Sequence, residues 1–121
     1  YTVLNSNVAV NGIQCSGRPD FEDHDIRAIS TWNLRHHLVR VNFSSCPTIT
    51  DTGISELAIT CNNIRSINFN LCNQLTDNSL SLFPKYCPFI QIVRLQYCIR
   101  ITDKFLINLS NKEKLIIGKL F

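Results

Sequence analysis

The chain has 121 residues, 45% hydrophobic and 17% charged, which fits one domain with a core and excludes a disordered tail. Its net charge of +3 is too small to indicate nucleic acid, and no apolar run approaches the roughly 20 residues of a membrane-spanning helix. The chain opens on Tyr1 with no signal-peptide pattern, which reads as a longer protein trimmed at its start.

In chain order, residues 1–37 read as one irregular repeat. Asp23, Ile26 and Ile29 mimic Asp51, Ile54 and Leu57 further on, Cys15 stands as a displaced counterpart of Cys46, and an insertion around Ser16-Gly17-Arg18-Pro19 spoils the register. Regular repeats follow at 38–63, 64–89 and 90–114, and 115–121 starts a further one. Cys46, Cys72 and Cys98 recur at one constant interval. The same period carries Val41, Ile67, Val93; Phe43, Phe69, Leu95; Thr50, Thr76, Thr102; and Asp51, Asp77, Asp103. Each period opens on a short strand, such as Leu38 to Phe43, and continues as a helix. Ile54, Leu57, Ala58 and Cys61 line one apolar helical face. Thr50-Asp51 stands at the helix entrance, where a hydroxyl or carboxylate accepts the unpaired N–H groups of the first turn; the recurring Asp residues are therefore read as caps rather than catalytic acids. Pro84 should end or kink the second of these helices. The strand Leu115 to Leu120 fits best if the third repeat closes at Lys114, one position shorter than the two before it.

One strand and one helix cannot bury both faces alone, but a stack of such units can. The expected fold is α/β: a solenoid of about four to five repeats, parallel strands on the concave face and helices on the convex one. The segments Phe43 to Asp51, Phe69 to Asp77 and Leu95 to Asp103 resemble the cysteine-containing leucine-rich repeat, over residues 38–121 well and over 1–37 poorly. That repeat type is typical of F-box proteins with leucine-rich repeats, the substrate receptors of cullin-based ubiquitin ligases. The resemblance implies a protein–protein interaction module, the substrate-recognition repeat region of an F-box/LRR-like protein, with a cullin-ligase adaptor bound through a segment not present here. The alternative it leaves open is a non-catalytic structural or assembly subunit, as in an axonemal dynein regulatory complex or a mitochondrial assembly factor.

The six cysteines form no Cys-x-x-Cys pair, so zinc is not indicated. A one-per-rung ladder points its thiols the same way, which disfavours disulfides; free structural thiols imply a reducing compartment, cytoplasm or nucleus, with cilium or mitochondrial matrix as alternatives. In that setting the sequons at Asn42 and Asn108 are coincidences. His24, His36 and His37 lie outside the ladder, with no partner for a nucleophile. No phosphate loop, nucleophile elbow or metal motif is present, so neither an enzyme nor a cofactor is expected. Neither nucleic acid nor membrane is expected as a partner. Charge is uneven, with Lys85, Arg94, Arg100, Lys104, Lys112, Lys114 and Lys119 against Asp103 and Glu113 in residues 85–121; this is either a solvated surface or a place for an acidic or phosphorylated partner. The apolar end (Leu115, Ile116, Ile117, Leu120, Phe121) either continues into more repeats or leans on a neighbour.

In the strand pattern the residues between core positions point outward. The candidate partner-binding residues on the concave face are Arg40, Asn42, Ser44, Ser66, Asn68, Asn70, Ile92, Arg94, Gln96, Tyr97 and Lys119, with Ile117 also facing out. Ile67→Ala or Leu95→Ala should lower unfolding free energy by about 2–5 kcal/mol, whereas Asn68→Ala or Arg94→Ala should leave it nearly unchanged; denaturant titrations of the four variants check the face assignment.

Overall fold

A computed structural model describes residues 12–31, 36–105 and 116–118. Five short strands, β1 (Gly12–Gln14), β2 (Arg40–Asn42), β3 (Ser66–Asn68), β4 (Ile92–Arg94) and β5 (Ile116–Gly118), alternate with helices α1 (Asp23–Thr31), α2 (Asp51–Thr60), and the pair α3 (Asp77–Leu80) and α4 (Leu82–Tyr86). All strands are parallel and lie side by side in chain order. The helices pack against one another, α1 on α2 and α2 on α3 and α4. This is the predicted solenoid, in which each strand–helix unit is one rung.

Between the two layers runs a continuous core. Ile13, Val41, Ile67 and Val93 occupy the central strand position and are buried, as are Ile26, Ile54, Leu57 and Leu80 from the helices. An aromatic spine links the rungs: Phe21 meets Phe43 at 4.8 Å between ring centroids, Phe43 meets Phe69 at 6.0 Å, and Phe69 meets Phe83 at 6.0 Å.

The rungs are not all one length. Arg40 pairs with Ser66 and Ser66 with Ile92 at the interval of the cysteine ladder, but Gly12 and Arg40 are paired two positions further apart in the chain. The offset from Gly12 to Arg40 also relates Gly17 to Ser45 and Asp23 to Asp51, so the extra length falls between α1 and β2. The Ser16 to Pro19 turn therefore keeps the register, contrary to the insertion expected there. Cys15 moves to another column as a result. Its N–H donates to the Asn42 carbonyl at 2.9 Å, as Phe43 does to Asn68 and Phe69 to Arg94. Cys15 thus stands in the column of Phe43 and Phe69, not that of Cys46. At the other end Ile92 pairs with Ile116, so the third period is shorter by two positions rather than one. Ile117 accordingly takes the register position of Val93, not that of the outward row in which it was expected. Lys119 lies outside the described residues.

Polar groups tie each rung to the next. Thr50 caps α2, its hydroxyl accepting from Thr52 N–H at 3.3 Å, and Thr76 caps α3 through Asn78 N–H at 3.2 Å. The aspartates, expected as caps of their own helices, reach across instead. Asp51 accepts from the Thr76 N–H at 2.9 Å, from the Thr76 hydroxyl, and from the Ser79 hydroxyl at 2.5 Å. Asp23 accepts from the N–H of Thr50 at 2.8 Å and from its hydroxyl, and Asp77 from the N–H of Thr102 at 3.0 Å and its hydroxyl at 2.5 Å. A Cβ at Gly53 would stand 2.5 Å from Asp23 Oδ1; glycine leaves room there for the carboxylate to cross. At α1, Asp25 serves the same need within its own helix, accepting from the Glu22 N–H at 2.9 Å.

Pro84 has the effect expected of it. Its missing N–H cannot pair with the carbonyl four residues back, and the helix breaks at Ser81 into α3 and α4, with Pro84 in the first turn of α4 where a proline is tolerated. α2, without a proline, runs unbroken from Asp51 to Thr60.

All six cysteines are free and buried. Cys46, Cys72 and Cys98 donate to the carbonyls of Cys15, Phe43 and Phe69 in the preceding rung, at 3.0, 3.0 and 2.9 Å. Burial pushes the Cys72 thiol up from 9.0 to about 12, with the neighbouring Cys98 and Cys46 adding to it; burial raises Cys46 and Cys15 as well. An unfolded thiol ionises near 9.0 while folded Cys72 keeps its proton to about 12. Its contribution is therefore complete below the unfolded value and disappears as pH rises between the two. Melting temperature should fall across that window, and less steeply in Cys72→Ala; equal slopes would contradict a buried, protonated thiol.

Candidate functional site

The outward face of the sheet carries two columns. Gly12, Arg40, Ser66 and Ile92 form one, continued by Ile116 in register; Gln14, Asn42, Asn68 and Arg94 form the other, continued by Gly118. Period-two alternation places them opposite the buried central column. Ser44, Asn70 and Gln96 follow just beyond the strand ends, and Tyr97 comes next. Thus all the predicted site residues but one stand on or beside a single surface; Lys119 lies outside the described residues. Arg40, Arg94 and Tyr97 are exposed, and the others are partly buried.

The asparagines are already engaged. Asn42 Oδ1 accepts from the Ser44 N–H at 3.0 Å, and Asn68 Oδ1 accepts from the Asn70 N–H at 3.1 Å. Each turns the chain as it leaves its strand, the Asx geometry of short polar side chains. In the next rung the column holds Arg94, which cannot accept a hydrogen bond. There the Gln96 N–H donates to Asn70 Oδ1 of the previous rung at 2.8 Å. Asn70 thereby supplies what an asparagine at 94 would have supplied, and a cation occupies the column without orphaning a backbone donor. The Arg94 guanidinium has no hydrogen-bonding partner among the described residues. Arg40 lies over Gly12: a Cβ there would come within 3.4 Å of Arg40 Nε.

A third row was foreseen as a site only at Tyr97. Gly17, Ser45, Leu71 and Tyr97 occupy equivalent positions in successive rungs, and all have positive φ, at 71°, 57°, 64° and 61°. The conformation is enforced by the ladder: the N–H groups of Gly17, Ser45 and Leu71 donate to Ser44, Asn70 and Gln96 at 2.8, 2.8 and 2.9 Å. Glycine is at ease there, while a bulky side chain costs roughly 1–2 kcal/mol. Leu71 and Tyr97 are nevertheless large and half exposed, and Ile99, two residues on, is more exposed still. The signal in the sequence was the single Gly17 in this column.

Arg27 pairs with Glu56 at 3.1 Å between α1 and α2. His24 stands 3.2 Å from the carboxylates of both Glu22 and Asp25.

The architecture is that of a leucine-rich-repeat protein. A family model for the leucine-rich repeat matches residues 35–58. The chain is similar to a chain in the crystal structure of the Rad7 and Elc1 complex in yeast, with TM-score 0.66 and 24% sequence identity over 82% of its length. It spans about a quarter of that protein, 25% of its length. A search of curated proteins finds no match.

The asparagine contacts revise the stability expected of the concave face. Asn68→Ala should lower unfolding free energy by about 1 kcal/mol, because it leaves the Asn70 N–H unpaired. Arg94→Ala should stay within about 0.5 kcal/mol of the parent. Urea titrations distinguish the two, and equal effects would contradict the assignment.

Proposed function

We propose that this chain is a non-catalytic protein-recognition segment that holds a polypeptide on the concave face of its sheet. The observation that carries this reading is Arg94. Asn42 and Asn68 are engaged by their own turns, yet Asn70 accepts from the next rung at the place where the column holds an exposed cation whose guanidinium has no partner among the described residues. Exposed arginine and tyrosine, here Arg94 and Tyr97 in one rung, are residue types that dominate interface energetics. The solved neighbour belongs to a two-protein complex, which is consistent with a protein partner.

More specifically, we read the repeats as the substrate-recognition region of an F-box/LRR-like receptor in ubiquitin-dependent degradation, of the cysteine-containing subtype. Support comes from the repeated Cys-to-carbonyl bonds at Cys46, Cys72 and Cys98 and from the resemblance of the repeat. Buried free thiols fit a reducing compartment, the cytoplasm or nucleus.

Affinity purification of the tagged protein, compared with Arg94→Glu, tests the reading. Recovery of a ligase adaptor together with a protein whose lifetime lengthens when the chain is depleted, with that protein but not the adaptor lost in the variant, is expected. Stoichiometric recovery of one assembly, with no change in any lifetime and no effect of Arg94→Glu, would overturn it in favour of a structural subunit.

A further inference from the structure

Leu71 and Tyr97 stand in adjacent rungs at the left-handed position, 46% and 52% exposed, and Ile99 follows at 78%. The equivalent residue two rungs before Leu71 is Gly17, which suits that backbone without strain. Large apolar side chains therefore sit where they disfavour the local backbone and do not fill the core. Cations flank this row along the chain. Arg94 precedes Tyr97 by three residues, Arg100 follows it by three, and Lys104 lies beyond. Arg94, Arg100 and Lys104 are all exposed, and the one acid between residues 92 and 105 is Asp103.

From this juxtaposition we infer that the row Leu71, Tyr97 and Ile99, with Arg94 and Arg100 beside it, is the docking site for an acidic peptide segment bearing apolar anchor residues. The inference rests on the protein-recognition reading above and specifies the chemistry of the partner. Charge complementarity selects the acid; the exposed row receives the apolar side chains. Two of its three members are aliphatic and offer no face for a nucleobase to stack on, which favours a polypeptide over a nucleic acid. Coulombic attraction at an exposed site weakens with salt, while burial of the apolar row does not, so the site should lose selectivity for acid before it loses all affinity.

Fluorescence anisotropy with the purified chain tests this, using three synthetic peptides and an oligothymidylate. The first peptide carries leucine and phenylalanine among aspartates and glutamates. The second has lysine for every acid, and the third has alanine for every apolar residue. The first should bind about tenfold or more tightly than the others, with the preference over the lysine peptide shrinking at high salt. Leu71→Gly and Tyr97→Gly should weaken it without lowering the melting temperature, since glycine relieves the backbone; Ile99→Ser is a further variant that does not touch that backbone position. Arg94→Glu should reverse the preference between acidic and lysine peptides. Equal binding of both charged peptides, undiminished binding by all three apolar-row variants, tighter binding of the oligothymidylate, or no binding of any probe would each overturn the inference. If partner retention still depends on Arg94 in the purification experiment, the recognition reading stands and only the acidic-peptide chemistry falls.

Discussion

The structure depends on ties between neighbouring rungs. A three-residue strand with one helix has a core-facing surface on each and too little chain to close over it. What fixes one rung upon the next is a carboxylate that leaves its own helix and accepts from the backbone and hydroxyl of the following threonine, as Asp51 does from Thr76. One rung further on the same contact recurs from Asp77 to Thr102. Elsewhere in each rung, a thiol donates to the strand carbonyl of the rung before. These bonds hold the stack at the spacing where Phe21, Phe43, Phe69 and Phe83 meet ring to ring.

The same economy of backbone hydrogen bonds shapes the outer surface. Asn42 and Asn68 close the turns that follow their strands, so a polar face that resembles an open recognition plate is partly self-satisfied. Where Arg94 replaces asparagine, Asn70 of the previous rung takes over the acceptor role. The exposed cation and the left-handed apolar row beside it lie in the same part of the stack. The row changes character along the stack: its early rungs carry glycine and serine, and its later rungs carry leucine and tyrosine.

Much of this fold was legible in the sequence because parallel stacking makes period equal to register. The columns of Val41, Ile67, Val93 and of Phe43, Phe69 followed from spacing alone, and the interruption of the second helix followed from the chemistry of Pro84. The lengths of the first and third rungs did not follow, because the connection from a helix to the next strand absorbs inserted or deleted residues without altering the strands. Cys15 was therefore assigned to the wrong column and Ile117 to the wrong register position. The roles of Asp51 and Asn68 were hidden for a different reason. Residue type identifies an acceptor, but whether it serves its own turn or the backbone of the next rung depends on three-dimensional proximity. Leu71 was missed because nothing in composition marks a backbone with positive φ when the residue is not glycine, and Ile99 because the repeat pattern does not tell which apolar turn residue stays exposed.

The most direct measurement is a double-mutant cycle on Asp51→Ala and Thr76→Val, followed by equilibrium unfolding. If the cross-rung carboxylate fixes the stack, the pair should show a coupling energy of about 1–3 kcal/mol, in the range of hydrogen bonds to charged groups. Effects that add to within about 0.5 kcal/mol would show that the two residues act independently, and would contradict the account.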